Sequence, residues 1–572
     1  MIRRKTDAAL ASGVALIALM AGTGLSMAQD CSAGSSENAL QCGPSAIAAG
    51  PESVAIGNGA VTDVTATDAV AIGTEASTTG PSTTAVGGLS IAEGPGATAI
   101  GWRAEATAER AQALGHLATA QGERSLAVGE AADAQSDFST AIGNESVANG
   151  IDALAIGDEA QSLGQSTTAV GGESIAEGAG ATAIGWQSMA TAERAQAFGH
   201  LATASGIRSL AVGENADAQS DFSTAIGNES VANGIDALAI GDEAQSLGQS
   251  TTAVGGESIA EGAGATAIGW QSMATAERAQ AFGHLATASG IRSTAVGEAA
   301  EASGDRAIAL GNQSMAAGDR STAIGNEAMA SGQDALAVGE MTQADGQSTA
   351  AVGGLAIARG PGATAIGWRA EATAERAQAF GHLAQATGVR STAVGEAAMA
   401  MGERAIAMGD QAQAQADNSA AIGAGAVATR TNEFVLGNAA NTYRATGIAS
   451  DASRAAQGVP VGVVTSDAQG NLAVDRSIGQ TMSSLEQRSQ AMSRQIDNNK
   501  EGIAMAMALN SPYVPTDRTF AVSTGLGSFE GSQALAASMG YRFNDNTQMD
   551  AGITYGFSQN QVGGRIGVTY SW

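Results

Sequence analysis

A tripeptide of the form Ala-Φ-Gly, in which Φ is an apolar residue, recurs at every fourteenth position through the centre of the chain. Its glycine stands at Gly73, and the register runs from there to Gly437 without a slip. The spacing between Gly57 and Gly73 is longer by two positions, which predicts a two-residue insertion around 61–65. A fixed period of this kind is typical of a solenoid, in which each repeat forms one turn and stacks on its neighbours.

The glycines also indicate the kind of secondary structure. In most repeats a second glycine lies halfway, as at Gly80, Gly94 and Gly122. A helix would lose about 1 kcal/mol at each glycine relative to alanine, whereas glycine suits corners, where φ is often positive. Each repeat therefore predicts two short strands and two corners. Together the repeats predict a parallel β-roll, with turns about 4.8 Å apart and a length of about 125 Å.

The Ala and Φ columns cannot both fill the interior of such a roll. Neighbouring residues of a strand point to opposite faces, so one column lies inside and the other outside. We expect Φ, which is Ile, Val, Leu or Phe in almost every repeat, to lie inside, with the flat alanine column against another chain. The reverse arrangement stays open. Either way one apolar column is left over, which predicts an oligomer.

Charge and motif content exclude several classes of function. The formal net charge is −29, and lysine occurs only at Lys5 and Lys500, which disfavours a nucleic-acid partner. The sequence has no Ser-His-Asp grouping, no CxxC or HExxH motif and no phosphate-binding glycine loop. We therefore predict no catalytic residues, no cofactor and no metal ligands. The alternative from a different functional class is a carbohydrate-active enzyme built on a β-solenoid.

The N-terminal residues predict export. Basic residues at 3–5, an apolar stretch at 8–21 and small residues at the end of the segment 1–28 are typical of a cleaved secretory signal. Cys31 and Cys42 follow directly. In an oxidising compartment they can close a short loop as a disulfide, with two unpaired thiols as the alternative.

Four of the tryptophans and all four histidines follow a longer repeat. Each histidine stands one repeat after a tryptophan, so the two rings lie one turn apart at the same corner, close enough to stack. The pairs are Trp102 and His116, Trp186 and His200, Trp270 and His284, and Trp368 and His382. We weigh an exposed corner patch for a ligand and a metal site against a structural cap repeated by duplication, and favour the cap. Histidines of one chain are at least about 29 Å apart and cannot share an ion.

After the repeats, residues 476–509 predict a helix with an apolar heptad pattern. The a positions are Met482, Ser489, Ile496 and Ile503, and the d positions are Ile478, Leu485, Met492, Asn499 and Ala506. Such a pattern is typical of a short coiled coil, in which the polar layers at Ser489 and Asn499 set the register.

The segment 511–572 alternates between apolar and small or polar side chains. The four predicted strands are Thr519–Gly527, Gln533–Phe543, Thr547–Phe557 and Gly563–Trp572. Their aromatic residues, expected at the membrane interface, are Tyr541, Phe543, Tyr555, Phe557, Tyr570 and Trp572. This pattern is typical of outer-membrane β-strands. Four strands cannot close a barrel and open edges are not tolerated in lipid, so three chains and twelve strands are expected.

The combination resembles a YadA-like trimeric autotransporter adhesin. Repeats such as 139–146, Ser-Thr-Ala-Ile-Gly-Asn-Glu-Ser, resemble the head motif of that family, and Ile496-x-x-Asn499 is similar to its stalk motif. The resemblance implies a mostly β protein with a left-handed parallel β-roll, a trimeric coiled coil in which Asn499 contributes to an anion-binding layer, and a twelve-stranded trimeric outer-membrane barrel. The implied segments are a signal peptide 1–28, head 29–437, neck 438–471, stalk 472–510 and anchor 511–572.

The resemblance also implies function and partners. It implies a homotrimer in the bacterial outer membrane that contacts membrane lipid and the barrel-assembly machinery, and that exports its own head to the cell surface. The head is expected to attach to a host matrix protein, a glycan or another surface, or to support autoaggregation or biofilm formation. A surface fibre without a dedicated ligand is the alternative.

Overall fold

The computed structural model describes residues 31–572, and the predicted signal peptide lies outside them. The described chain forms two compact units, one ending at Asn441 and the other comprising Thr442–Trp572. It is mostly β-structure, and the described residues contain only two helices, Asp451–Ala456 and Arg476–Ala508. Neither helix is long and apolar enough to cross a membrane.

The first unit is the predicted parallel β-roll. Each turn contains a three-residue strand followed by a two-residue strand. The three-residue strands recur once per repeat from Val70–Ile72 to Phe434–Leu436, and the two-residue strands from Ser77–Thr78 to Val427–Ala428. Each strand pairs in parallel with its equivalent in the next repeat, as Thr98 does with Gln112. The fourteen-residue period is therefore one turn of the solenoid, which confirms the prediction.

The beginning of the roll differs slightly from the rest. Its strands are Cys31–Ala33, Leu40–Cys42, Ile47–Ala48, Val54–Ile56 and Val61–Thr62. The first two are antiparallel, and Cys31 and Cys42 face each other across them in a disulfide. Val54 pairs with Val70, so this turn is two positions longer than the regular repeat. The two extra residues lie between Thr62 and Val70, close to the predicted position.

The alanine of each Ala-Φ-Gly tripeptide lies inside the roll, so the expectation that Φ fills the interior is wrong. Ala99 is fully buried, whereas the neighbouring Ile100 is 43% exposed. Each turn contributes four small inward residues, such as Ala97, Ala99, Ala104 and Ala106, all fully buried. Short corners hold the two sheets close together. The space between them admits Ala, Ser or Thr but not Ile or Phe.

Glycine serves the two corners in different ways. Gly101, after Φ, has φ of +141°, a region that residues with a Cβ rarely adopt. Gly122, at the other corner, is required by the next turn, because a Cβ there would lie 1.9 Å from the carbonyl oxygen of Ser136. Of these two glycines, only Gly101 has the predicted positive φ.

The second unit begins with a connector and a long helix. After Asp451–Ala456, strands Val463–Ser466 and Leu472–Asp475 form an antiparallel hairpin that crosses the expected boundary between neck and stalk. The stalk helix, Arg476–Ala508, ends one residue before the predicted position. Asp475 caps it, and its carboxylate accepts a hydrogen bond from the Ser477 backbone N–H at 2.7 Å.

Four antiparallel strands end the chain, in sequence order across one sheet. We call them the first to fourth anchor strands, and they are Phe520–Phe529, Ser532–Asn544, Thr547–Gly556 and Val562–Tyr570. Their side chains alternate as predicted. In the second strand Leu535, Met539 and Tyr541 are exposed, while Ala534 and Ala536 are buried.

Candidate functional surfaces

The two sheets of the roll differ in charge. The outward positions of the three-residue strands flank the buried alanine and carry Thr, Leu, Ile, Val, Gln, Phe, Met or Ala; none of the described ones is charged. We call this surface the apolar face. The two-residue strands, by contrast, carry five charged outward residues: Glu105, Asp133, Asp217, Glu301 and Glu371. Because the apolar face places an uncharged, β-branched surface in water along the whole roll, it is the surface suited to contact with another protein chain.

Each tryptophan–histidine pair lies at the corner that follows the apolar face. The ring centroids of every pair are 4.9 Å apart, and the interplanar angles lie between 19° and 28°. The tryptophans are about half exposed, between 46% and 47%. The pairs therefore form four separate stacks on the surface of the roll.

A glutamate one turn further on completes each stack, and the sequence reasoning missed it. His116 Nδ1 lies 3.0 Å from Glu130 Oε1, and His200 Nδ1 lies 3.2 Å from Glu214 Oε1. The other two stacks end in Glu298 and Glu396, at 3.7 Å and 3.3 Å. Each of these glutamates stands fourteen residues after its histidine, and this spacing of one repeat could have identified them from the sequence. Within the described residues, no group of His, Cys, Asp and Glu is arranged to hold a metal ion.

The stalk helix has two distinct faces, one buried near its C-terminus and one exposed along its length. Glu501, Ala504, Met505 and Ala508 are buried. They occupy heptad positions b, c and f, which lie opposite the a and d row. The a and d residues Met482, Leu485, Met492, Ile496 and Ile503 are exposed by 42% to 65%. One face is therefore already covered within the chain, and the other is free for partner helices.

The covered face of the helix packs against small residues of the sheet. Ala504 and Ala508 pack with Ala534 and Ala536 of the second anchor strand in one apolar cluster. A Cβ on Gly525 would lie 2.1 Å from the Ala508 carbonyl oxygen. Glycine and alanine thus let the helix backbone approach the sheet closely.

Two charged side chains, Lys500 and Glu501, hold this part of the helix to the loops between the strands. Glu501 Oε1 accepts hydrogen bonds from the backbone N–H groups of Ser558 and Gln559, at 2.6 Å and 2.8 Å. Lys500 forms an ion pair with Glu530 at 3.2 Å. These contacts fix the helix at the end of the sheet where it enters.

The chain after the helix continues along the same side of the sheet. Val514 is fully buried, and Arg542 Nε donates to its carbonyl oxygen at 2.8 Å. Gln548 Nε2 donates to the Pro512 carbonyl oxygen at 3.2 Å. Helix and following segment together lie along the small-residue face of the first three strands, while the fourth strand stays largely exposed.

The six predicted interface aromatics all lie on the opposite, exposed face. Tyr541, Phe543, Tyr570 and Trp572 are near the turn between the second and third strands, whereas Tyr555 and Phe557 are at the other end. The neighbouring rings in Tyr541–Phe543 and Tyr555–Phe557 make edge-on contacts, with centroids 5.1 Å and 5.9 Å apart. Two aromatic rows separated by aliphatic residues are typical of strands that cross an outer membrane.

Asn499 lies on the exposed a and d row, where its Oδ1 accepts a hydrogen bond from Gln495 Nε2 of the same helix at 3.3 Å. Its role in an anion-binding layer stays a prediction, because that layer is formed by three chains.

The chain combines a β-roll that has one uncharged face, a helix with an exposed a and d row, and four strands of the outer-membrane pattern. This combination defines a surface adhesin of the trimeric autotransporter class. The YadA head domain repeat, a two-copy unit, matches 21 segments between residues 43 and 426. The YadA-like membrane anchor domain matches residues 512–572. The matches cover most of the sequence, and the chain belongs to the family of YadA-like trimeric autotransporter adhesins. A comparison with curated proteins finds no match.

Family membership places the anchor in the outer membrane and the head on the cell surface, and it implies a homotrimer. Both matched parts are adhesin domains, which indicates a non-enzymatic role.

Proposed function

We propose that three chains share one twelve-stranded barrel, export their heads through it and attach the cell to matrix proteins, glycans or other surfaces. The main support for a barrel shared by three chains is the position of the stalk helix. Its b, c and f residues cover the chain's own sheet, while its a and d row remains exposed. Three such helices can meet along their a and d rows only when the three sheets surround them.

Backbone hydrogen bonding supports the same arrangement. The first and fourth anchor strands are the edges of the sheet, and each has a partner on one side only. In hydrocarbon an unpaired backbone group costs several kcal/mol. Pairing the first strand of one chain with the fourth strand of the next removes both edges and closes the barrel.

The head is proposed to trimerise through the apolar face. Burial of apolar surface contributes about 25 cal/mol per Å², and this face carries an apolar side chain at the Φ position of every described turn. The charged residues of the two-residue strands then remain in water. In this proposal the Φ column faces the partner chains.

Adhesion is proposed to come from the exposed surface of the roll as a whole. The same corner features recur in four copies on each chain, and three chains present twelve copies on one trimer. Many weak, equivalent contacts give strong attachment through avidity. Autoaggregation and biofilm formation are proposed to use the same surface.

The shared barrel is tested by expressing the signal segment joined to residues 476–572. We expect a trimer in the outer membrane that dissociates only on heating, without any head. A fragment that inserts as a monomer, or that stays soluble in the periplasm, would falsify the shared barrel. Adhesion is tested separately, by screening cells that display the full-length protein against immobilised matrix proteins, glycans and bare surfaces.

A further inference from the structure

The tryptophan corners occur in two versions. In two of them an arginine follows the tryptophan directly, and the guanidinium carbon of Arg103 or Arg369 lies 5.2 Å from the centroid of the preceding indole. In the other two, Gln187 and Gln271 occupy that position. All four residues adopt the same left-handed backbone conformation, with φ between 53° and 57°. The two versions therefore differ in the side chain over the indole and not in the backbone.

The position exactly one turn before each tryptophan is a glycine. Gly172 lies one turn before Trp186, and a Cβ on it would lie 3.1 Å from the indole Cδ1. His200 covers the opposite face of the same indole. No side chain at position 172 therefore covers the other face, and Trp186 stays 47% exposed. Gly256 leaves the same opening beside Trp270.

Acidic residues flank the openings that lack an arginine, in the one and two turns that precede each tryptophan. They are Asp158, Glu159 and Glu173 in one copy and Asp242, Glu243 and Glu257 in the other, and all six residues are exposed. In the two copies with an arginine, the position of Glu173 is taken by Leu89 and Leu355. The chain thus has a flanking glutamate where its own cation is missing and a leucine where the cation is present.

The glutamine holds that flanking glutamate beside the opening. Gln187 Nε2 donates a hydrogen bond to Glu173 Oε2 at 2.8 Å, and Gln271 Nε2 donates to Glu257 Oε2 at the same distance. Each bond leaves one carboxylate oxygen of the glutamate available to an incoming cation.

We propose that the openings at Trp186 and Trp270 each bind a guanidinium or ammonium group of a basic partner protein. A cation over an indole face is a favourable contact, and the chain itself makes that contact at Trp102 and Trp368. The flanking carboxylates and the net charge of −29 attract a basic surface.

The two openings are six turns apart, about 29 Å. One extended basic surface can therefore occupy both at once and bind with avidity. This inference rests on the proposed adhesive function of the head.

The test uses cells that display the full-length protein and a fluorescent peptide of alternating arginine and glycine. The double variant Trp186→Leu with Trp270→Leu is expected to bind the peptide on the order of tenfold more weakly. The matched control, Trp102→Leu with Trp368→Leu, also removes two stacks and leaves the net charge unchanged. It is expected to change binding less than about twofold, because Arg103 and Arg369 already occupy those corners.

A second pair of variants tests the same openings while keeping the tryptophan rings. Gln187→Arg with Gln271→Arg supplies an internal cation and should block the openings, whereas Gln161→Arg with Gln245→Arg adds the same charge on the two-residue strands. Weaker peptide binding in the first pair than in the second supports the proposal.

If the two Trp→Leu double variants weakened peptide binding equally, or if the two Gln→Arg double variants did, the peptide would be attracted to the acidic surface in general. Either result would overturn the proposal. Loss of cell–cell clumping in Trp186→Leu with Trp270→Leu, with peptide binding unchanged, would overturn it in favour of a second copy of the head as occupant. Trimer formation and attachment to surfaces are measured on the same cells, so failure of the proposed function is recognised independently.

Discussion

Gly527 of the first anchor strand lies directly against Ala504 of the stalk helix: a Cβ on Gly527 would come within 2.0 Å of the Ala504 carbonyl oxygen. No shift of a flexible side chain relieves this contact, because both partners are backbone. The helix can therefore lie on the sheet only if residue 527 has no side chain.

Gly527→Val is expected to displace the helix and to destabilise the anchor by about 1–3 kcal/mol per chain, the usual cost of overpacking. The measurement is the amount of heat-resistant trimer in outer membranes and the temperature at which it dissociates. Gly564→Ala is the matched control, because the nearest atom to a Cβ there is 3.4 Å away. Equal trimer yields for the two variants would contradict the observed packing.

Ala99→Leu is expected to destabilise the head by about 1–3 kcal/mol, because the interior between the two sheets has no room for a larger side chain. The neighbouring change Ile100→Leu preserves volume on the outward side and should cost less than about 1.5 kcal/mol. Thermal unfolding of the purified protein, followed by circular dichroism, compares the two. If Ile100→Leu proved the more damaging change, the assignment of alanine to the interior would be wrong.

Asn499→Ile is expected to raise the melting temperature of the stalk, since an apolar layer replaces a polar one on the a and d row. The change is also expected to loosen the register or the preference for three strands. A stalk peptide fused to a trimer-forming clamp can be melted with and without the substitution. A lower melting temperature for the isoleucine variant would contradict the placement of Asn499 in the coiled-coil core.

The N-cap of the stalk helix should make the helix start sensitive to acid. Hydrogen bonds from the Ser477 side chain and backbone lower the pKa of the Asp475 carboxyl below its ordinary value. Because the folded pKa is depressed, the cap stabilises the helix fully above the ordinary pKa of about 3.9 and loses this effect as the pH falls through the folded pKa. The protection factors for amide exchange at residues 477 and 478, which correct for the intrinsic pH dependence of exchange, should therefore fall on acidification below that point.

Asp475→Asn keeps a capping side chain without the titration, so its helix start should respond much less to the same change in pH. Ser477→Ala removes one donor to the carboxylate, and it should move the acid response to higher pH. An unchanged pH response in both variants would show that another group controls the helix start.

Deletion of 139–222 removes six turns in register. The shortened head should fold and retain most of the binding to any surface that the full-length head recognises, because the corner features occur in other turns as well. Adhesion per displayed trimer is the quantity to compare. Complete loss of adhesion by a folded, displayed deletion variant would replace the distributed surface with a single site inside those turns.

Periodic features of the sequence predicted much of the fold. The second anchor strand was expected at 533–543 and is found at Ser532–Asn544, because alternation identifies a strand that has one lipid-type face. Each histidine was expected one turn from its tryptophan, and the rings are stacked. Residues one repeat apart are vertical neighbours in such a solenoid, so the spacing alone predicts these contacts. The third member of the stack, Glu130, follows the same rule but was overlooked.

Other structural features correspond to no periodic pattern in the sequence, so they were not predicted. The hairpin of Val463–Ser466 and Leu472–Asp475 is short and irregular in sequence, and it was expected to be part of a connector. The buried b, c and f face of the stalk helix contains Glu501, which looks like a solvent-exposed residue in a heptad pattern. It is buried because the loop between the third and fourth strands supplies two backbone N–H donors.

The sequence by itself determined the solenoid, its fourteen-residue turn, the coiled-coil helix and the four terminal strands, because each depends on a local period. Only the tertiary structure decided which apolar column lies inside the roll. Ala and Φ alternate equally well in either orientation, so the pattern permits both. The distance between the two sheets, set by the short corners, admits Ala99 and excludes Ile100. That distance arises only when the turns close, and it turns the larger apolar side chains towards the outside of the roll.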